Sequence, residues 1–464
     1  MKLKSIKFGG TSVGNARSIE ECIKIIKSKL NKSFLIVTVS AVAGITDKLI
    51  EIVKFAKKNQ SFLVKSNIMN ISNIHKNILK DLLKDDKKAE YLWSREFNPI
   101  LNKLYAITYG ATLVEDVTDK TAAKICAFGE KLSSLLIVIG LKKNGVRSLG
   151  IESETIIKTD SNYLKATVNF KTTNTFVKKV LNPFFFKCAV PIVTGFIGSD
   201  IYSNVTLLGR GSSDYTASIL AIASNSDTIE IWTDVNGIMT ADPRIVKDAF
   251  SWNNLDINIM SEMAYSGAKV VHPSAIALAV KKNIPVYVYN TFNRSFNGTK
   301  ITNISSHATG IVATPGNTII TVKNIAADNS AFFINKVTSI IARHNIPTSM
   351  CAASETSFTF STKSEHFSEG LNKALRRFAS VNIQSKLTKI CFIGNEVTSN
   401  KDLLVNIFQI CKEYNTQVYT MSLSASNTNI TLIIDEHKTE VIVKSFHKKL
   451  LTKKNTQILF NSTN

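Results

Sequence analysis

The segment Lys7-Phe8-Gly9-Gly10-Thr11-Ser12 puts a lysine at the end of an expected strand, two glycines behind it, and hydroxyl residues next. Glycine lets a backbone approach a phosphate closely. Free N–H groups at a helix start favour an anion, and the lysine adds a point charge. A second glycine loop, Leu208-Gly209-Arg210-Gly211-Ser212-Ser213-Asp214-Tyr215, fixes a cation and a carboxylate between a strand and a helix. Two such loops in one sheet suit two anionic ligands that face each other, such as a nucleotide and an acidic acceptor. Neither loop reads GxxxxGKS, which speaks against a P-loop.

Two further stretches carry polar groups behind apolar runs. Ile231 to Arg244 (IWTDVNGIMTADPR) follows a strand pattern, and the carboxyl ends of sheet strands are where open α/β sheets bind ligands. Ser266-Gly267-Ala268-Lys269-Val270-Val271-His272-Pro273 brings another lysine behind a glycine. His272, beside a proline, reads as a structural histidine. Six cysteines (Cys22, Cys126, Cys188, Cys351, Cys391, Cys411) contain no CxxC pair, and the seven histidines show no ligand spacing. No protein metal site is expected, and the thiols read as buried core residues in a reducing compartment.

The elements that must position these groups follow from periodicity. Strands are expected at Ser5–Phe8, Phe34–Ser40, Val190–Phe196, Thr228–Trp232 and Ile284–Tyr289, alternating with helices at Ser18–Lys29, Glu130–Leu141 and Tyr215–Ala223. That alternation means an α/β fold with a mainly parallel central sheet. Residues 55–110, rich in Lys, Asn and Leu, read as a helical insertion. The polar stretch Asn293 to Asn317 reads as a domain boundary. Beyond it, two βαββ(α) patterns of about 70 residues suggest paired ferredoxin-like modules. The first has strands at Thr318–Val322, Pro347–Ser354 and Ser357–Thr362 around a helix at Ala331–His344. The second has strands at Lys389–Ile393, Gln417–Leu423 and Asn429–Ile434, with helices at Lys401–Tyr414 and Thr439–Leu451.

The chain has 464 residues, 44% of them hydrophobic, enough for two or three domains. Its formal charge of +22 would by itself raise nucleic-acid binding, but only nine of the 57 basic residues are arginine and the lysines are spread along the chain. A solvated basic surface is the better reading, and it would attract anionic substrates. The strand that begins almost at once leaves no room for a signal peptide, and the longest apolar runs fall short of a membrane span. A cytoplasmic protein with no membrane or nucleic-acid partner is expected.

KFGGTSVG, SAVAGITD, FGEKLSS, GRGSSDYTA, IWTDVNGIMTADPR and GAKVVHP occur here in the order found in aspartate kinases of the amino-acid kinase family, and the chain resembles that family over nearly its whole N-terminal half. The C-terminal repeats are similar to its ACT modules. The resemblance implies an amino-acid kinase catalytic domain at 1–305 and ACT-like modules at 306–388 and 389–464. It implies ATP and Mg²⁺ carried with it, L-aspartate as acceptor, and assembly as a homodimer or larger through the ACT-like half. Lys7, Asp214 and Lys269 would be catalytic. Nucleotide contacts would come from Lys7, Phe8, Gly9, Gly10, Thr233, Asp234, Met239, Arg244, Lys269 and Val270, and Gly9 and Gly10 would donate backbone N–H groups to phosphate. Aspartate would meet Ser40, Thr46, Glu130, Arg210, Gly211, Ser212 and Ser213. Met239 stands where many relatives place a tyrosine; methionine still covers an adenine face but loses the stacking.

The chemistry agrees with those roles. An acceptor carboxylate is already ionised at pH 7, so no general base is needed. The obstacle is repulsion between it and the ATP tail, which cations and oriented N–H groups relieve. The resemblance also implies an amino-acid effector, lysine ahead of threonine, near Asp328, Ser349, Ser354 and Glu355. Ser349 replaces an aspartate of lysine-sensitive relatives, which removes a charge-assisted contact. Alternatives are another amino-acid kinase, such as a glutamate kinase, or a non-catalytic ACT-type sensor. A fused homoserine dehydrogenase is not expected, because no later GxGxxG follows.

Overall fold

The computed structural model describes residues 1–187, 189–209, 211–268, 271–304, 309–325 and 329–451. In chain order the strands are β1 (Lys2–Phe8), β2 (Ser33–Val39), β3 (Ser148–Ile151), β4 (Val190–Thr194), β5 (Ile197–Ser199), β6 (Val205–Leu207), β7 (Thr228–Thr233), β8 (Asn254–Asp256), β9 (Val286–Asn290), β10 (Thr299–Thr302), β11 (Thr309–Asn324), β12 (Met350–Ala353), β13 (Ser357–Lys363), β14 (Ala379–Gly394), β15 (Thr420–Leu423) and β16 (Asn429–Asp435). The helices are α1 (Ala16–Leu30), α2 (Ile45–Ala56), α3 (Ser61–Leu83), α4 (Asp86–Leu92), α5 (Asn98–Val114), α6 (Asp119–Cys126), α7 (Phe128–Lys143), α8 (Phe170–Phe186), α9 (Ser212–Ser224), α10 (Ile257–Ser266), α11 (Pro273–Lys281), α12 (Ser330–Arg343), α13 (Glu369–Arg376), α14 (Lys401–Glu413) and α15 (Thr439–Leu450). They form two compact units. One comprises Met1–Ile238, Asn253–Ile257 and Val271–Ile304; the other takes in Met239–Trp252, most of α10 and the chain from Thr309 onward.

The first unit is built on an eight-stranded sheet in the order β3-β4-β2-β1-β7-β9-β10-β8. From β3 to β9 every pairing is parallel, and β10 alone runs against its neighbour β9. The inner strands β2 and β4 are apolar runs because both faces are covered, whereas β1 (KLKSIKF) and β7 (TIEIWT) carry charged residues among their apolar ones. Ile6, Phe8, Val37 and Val39 pack under α1 to α7, while Ile36 and Val193 pack under α8 and α9. The parallel register sends the carboxyl ends of β1, β2, β4 and β7 to one edge, so residues just after them meet there. The expected helical insertion is α3 to α5, closed by the stacked rings of Trp93 and Phe97, 4.9 Å apart.

The second unit has one antiparallel sheet in the order β12-β13-β11-β14-β16-β15. Sequence periodicity finds only part of its two longest strands: 318–322 grows to Thr309–Asn324 and 389–393 to Ala379–Gly394. The two pair along their length, with register shifts around Pro315-Gly316, where Gly316 takes φ +72°. Each strand therefore serves two cores. Ile320, Val322 and Val381 pack with α12 and α13, whereas Ile311, Ile390 and Phe392 pack with α14 and α15. Pro315, with no N–H to donate, marks the change from one core to the other.

Candidate active site

Lys7 is the penultimate residue of β1, and its Nζ lies 2.6 Å from Asp214 Oδ1, with each side chain only 11% exposed. Asp214 sits in the first turn of α9, where its charge is favoured by the helix dipole. The turn into α9 needs glycines: Gly209 and Gly211 take φ +89° and +70°, and a Cβ on Gly211 would come within 2.5 Å of His272 Cβ. Ser212 and Ser213 then open the helix. Gly195, just after β4, approaches so closely that a Cβ there would lie 2.7 Å from Ser213 Cβ. The Ser212 hydroxyl is buried and has no hydrogen-bond partner among the described residues.

The first glycine loop divides its work. The Gly9 N–H donates to the Trp232 carbonyl at 3.0 Å, so it is already engaged, contrary to the expectation that both glycines offer free amides. The Gly10 carbonyl accepts from Val13 and Ala43, and a Cβ on Gly10 would meet the Ala41 carbonyl oxygen at 2.9 Å. Phe8 cannot offer its side chain to a ligand. Its ring is fully buried beside Trp232, and its carbonyl accepts the Ser40 N–H. Ser12 fixes the loop from beneath, with its hydroxyl 2.7 Å from that of Thr291.

The loop after β2 completes this edge. The Ser133 hydroxyl donates to the Ser40 carbonyl at 2.6 Å, and Gly44 at φ +78° turns the chain into α2, which places Thr46 in its first turn. Glu130, on α7, accepts the Ala41 N–H through Oε1 at 3.2 Å; its Oε2 is buried with no partner among the described residues. Burial raises the Glu130 pKa to about 8, against the smaller opposing pull of backbone hydrogen bonds. A half-satisfied buried carboxyl beside a loop whose Ala43 and Gly44 are exposed is suited to receive a cation, such as an amino-acid ammonium group.

At the end of β7 the Thr233 hydroxyl donates to Asp234 Oδ1 at 3.1 Å, and Asp234 is exposed. Lys7, Gly9, Gly10, Ser40, Thr46, Glu130, Ser212, Ser213, Asp214, Thr233 and Asp234 thus all follow or face the carboxyl ends of neighbouring strands in one unit. The model of the amino acid kinase family matches residues 2–290.

The chain belongs to that family.

The lysine-sensitive aspartokinase 3 of Escherichia coli (strain K12) is 28% identical over 457 residues, covering 96% of this chain and 98% of its own. The aspartokinase of Chlamydia muridarum is 28% identical over 455 residues, 96% of each chain. Among solved structures, E. coli aspartokinase III in complex with aspartate and ADP (R-state) superposes with a TM-score of 0.79 at 25% identity, over 97% of this chain and 100% of that one. The same enzyme in complex with lysine and aspartate (T-state) gives a TM-score of 0.81 at 26% identity and the same coverage.

Other expected residues of this amino acid kinase lie elsewhere. Arg210, Lys269, Val270 and Asp328 are outside the described residues. Met239 and Arg244 belong to the second unit, and the Arg244 guanidinium is held by Asp242, with Nη2 2.5 Å from Oδ2. Ser349 bonds the Ser361 hydroxyl at 2.9 Å, Ser354 bonds that of Ser357 at 2.9 Å, and Glu355 is exposed beside them between β12 and β13. His272 is the N-cap residue of α11, and its Nδ1 lies 2.7 Å from the Ser274 hydroxyl. Four of the cysteines are buried as expected, but Cys351 is exposed because it lies on the edge strand β12; Cys188 is outside the described residues.

Periodicity missed Asn290 and Ser133. The Asn290 amide donates to Asn236 Oδ1 at 2.8 Å and so braces the loop behind Asp234. The available signal was a polar residue at the carboxyl end of an alternating strand. Ser133 lies on a helix buried nearly all round, where no polar face announces it.

Proposed function

We propose that this chain is an aspartate kinase, transferring the γ-phosphoryl group of ATP to the side-chain carboxylate of L-aspartate to give 4-phospho-L-aspartate. The observation that supports it most is the Lys7–Asp214 ion pair at the carboxyl end of the central strand, between two glycine turns. A largely buried ammonium held by a helix-borne carboxylate is oriented before substrate arrives, so it can meet charge on the transferring phosphoryl group without reorganisation. The amino-terminal end of α9 adds a second positive end.

In this reading Lys7 and Lys269 neutralise the phosphoryl group, and Asp214 holds Lys7 in place. Gly10, Thr233, Asp234, Met239, Arg244 and Val270 contact the nucleotide. Arg210, with Ser40, Thr46 and the Gly211–Ser213 turn, grips the aspartate carboxylates. Glu130 meets the ammonium group. Among the described residues no three His, Cys, Asp or Glu converge on a metal position. Mg²⁺ would come in on the ATP phosphates and shield their charge there. No described helix is long and apolar enough to cross a membrane, and the proposed setting is the cytoplasm. Residues 1–305 form the proposed catalytic domain, and 306–388 with 389–464 the ACT-type half that dimerises and binds lysine or threonine.

Arg210→Ala tests the acceptor side. A charge-assisted contact is worth roughly 1.5–3 kcal/mol, so the aspartate KM should rise by about 10–100-fold while the ATP KM stays near normal. A change confined to the ATP KM would overturn the assignment of the second glycine turn.

A further inference from the structure

The segment Met239–Trp252 carries Met239 and Arg244, yet it is built into the second unit. Ala241 and Val246 join one hydrophobic cluster with Ile311, Phe392 and Phe446. Between Met239 and the anchor Ala241 stands Thr240, fully buried. Its N–H donates to the Phe250 carbonyl at 2.8 Å, its carbonyl accepts the Ile311 N–H at 2.7 Å, and its hydroxyl accepts the Phe250 N–H at 3.2 Å. The remaining capacity of that hydroxyl is met by one side chain, His447 of α15, with Nε2 at 2.9 Å. His447 is 4% exposed, and its ring meets that of Phe250 edge-on, with centroids 6.2 Å apart. Neutral imidazole can donate or accept there, so either tautomer completes the bond.

We infer that His447 is a positioning residue for nucleotide binding: through Thr240 it fixes the conformation of the Met239–Arg244 segment, so that the last helix of the C-terminal half sets ATP affinity. This rests on the assignment of Met239 and Arg244 to the nucleotide. Three features converge on it. Thr240 is the residue immediately after Met239. Its backbone is tied on both sides to strand β11 and to the returning Phe250 chain, so the side chain cannot turn away without breaking a buried bond. The partner comes from a helix some 200 residues later in the chain, whose neighbours Phe446 and Val443 share the core with Ala241. A second strap has the same origin: the Thr314 hydroxyl of β11 donates to the carbonyl of Ser266 at the end of α10, the helix that precedes Lys269 in the chain. A shift of α15 or β11 would therefore be passed to both chain segments that the proposed function credits with nucleotide contacts beyond the first unit.

The test uses the full chain. His447→Phe keeps the ring contact with Phe250 and removes the bond; Thr240→Val removes it too, together with the bond that the hydroxyl accepts from the Phe250 N–H. His447→Phe should raise the ATP KM by about 3–10-fold, the worth of one net hydrogen bond, and Thr240→Val by at least as much, with aspartate KM and kcat within about twofold of normal. The double variant should be no worse than Thr240→Val alone, because that change has already deleted the bond to His447. His447→Gln, whose amide nitrogen can reach where Nε2 stood, should recover most of the ATP affinity. Arg244→Ala is run beside them. If it raises the ATP KM while His447→Phe does not, the coupling is wrong and the nucleotide assignment stands. If neither raises it, the nucleotide assignment falls and the coupling with it. Equal rises in both KM values, additive effects, or no recovery with Gln would reduce His447 to a packing residue and overturn the inference.

Discussion

Glu130 is where burial and chemistry pull hardest against each other. Its pKa of about 8 lies above the ordinary carboxylate value, so the folded protein binds a proton there that the unfolded chain releases. Stability from this group is full below about pH 4.5 and is lost as pH rises through 8, at about 1.4 kcal/mol per pH unit between the two. Glu130→Gln should thus melt at a higher temperature than the parent at pH 8, with the gap closing towards pH 5. The same residue should make aspartate binding pH-dependent, because an ammonium group prefers the ionised form. Steady-state kinetics should show the aspartate KM falling from pH 6.5 to 8 in the parent and staying flat, at a higher value, in Glu130→Gln. A flat parent profile would remove Glu130 from substrate recognition. The sequence showed a glutamate in FGEKLSS but not its state. Whether Oε2 is left without a partner depends on how α7 packs against the loop after β2, which no local pattern encodes.

At the scale of elements, the two glycine turns were legible because each needs glycine, the second for the positive φ of Gly209 and Gly211 and the first for the room at Gly10. Their division of labour was not. Gly9 and Gly10 are adjacent, yet a Cβ on Gly9 would find ordinary contacts at 3.5 and 3.8 Å, while one on Gly10 would press a backbone carbonyl at 2.9 Å. Gly10→Ala should cost about 1–3 kcal/mol in chemical denaturation, the usual price of overpacking, and Gly9→Ala little. Equal losses would mean that the loops after β1 and β2 are not in close register. The strands β2 and β4 are legible as hydrophobic runs, and β1 and β7 as apolar patterns interrupted by Lys4 and Glu230. The short strands β8 and β10 were not, because Asn254-Leu255-Asp256 and Thr299-Lys300-Ile301-Thr302 each bury little apolar surface and form only by joining an existing sheet edge. The amino-terminal half of β14 hid in the same way: Ala379 to Ser385 alternates weakly, and Lys386 at φ +60° interrupts it.

For the whole molecule, the alternation of strands and helices was enough to separate a parallel α/β half from a C-terminal α+β half. It was not enough to show that Met239–Trp252 and most of α10 pack with the second, since segment exchange between units is a long-range choice made by Ala241, Val246 and Thr240 together. The effector is open to calorimetry on the whole chain. Lysine should give saturable heat and lower the kinase rate at millimolar levels; no heat from lysine, threonine or methionine, with an unchanged rate, would leave the C-terminal half as an assembly module. The central claim concerns the bond that is made, an acyl phosphate on aspartate, and hydroxylamine traps that species directly. Purified protein with MgATP, hydroxylamine and each candidate amino acid should form aspartyl hydroxamate with L-aspartate and not with glutamate. Lys7→Ala, folded, should do so about 10²–10³-fold more slowly, the usual scale for removing one preorganised charge. Hydroxamate from glutamate but not aspartate, or a Lys7→Ala variant that works at the parent rate, would contradict the assignment.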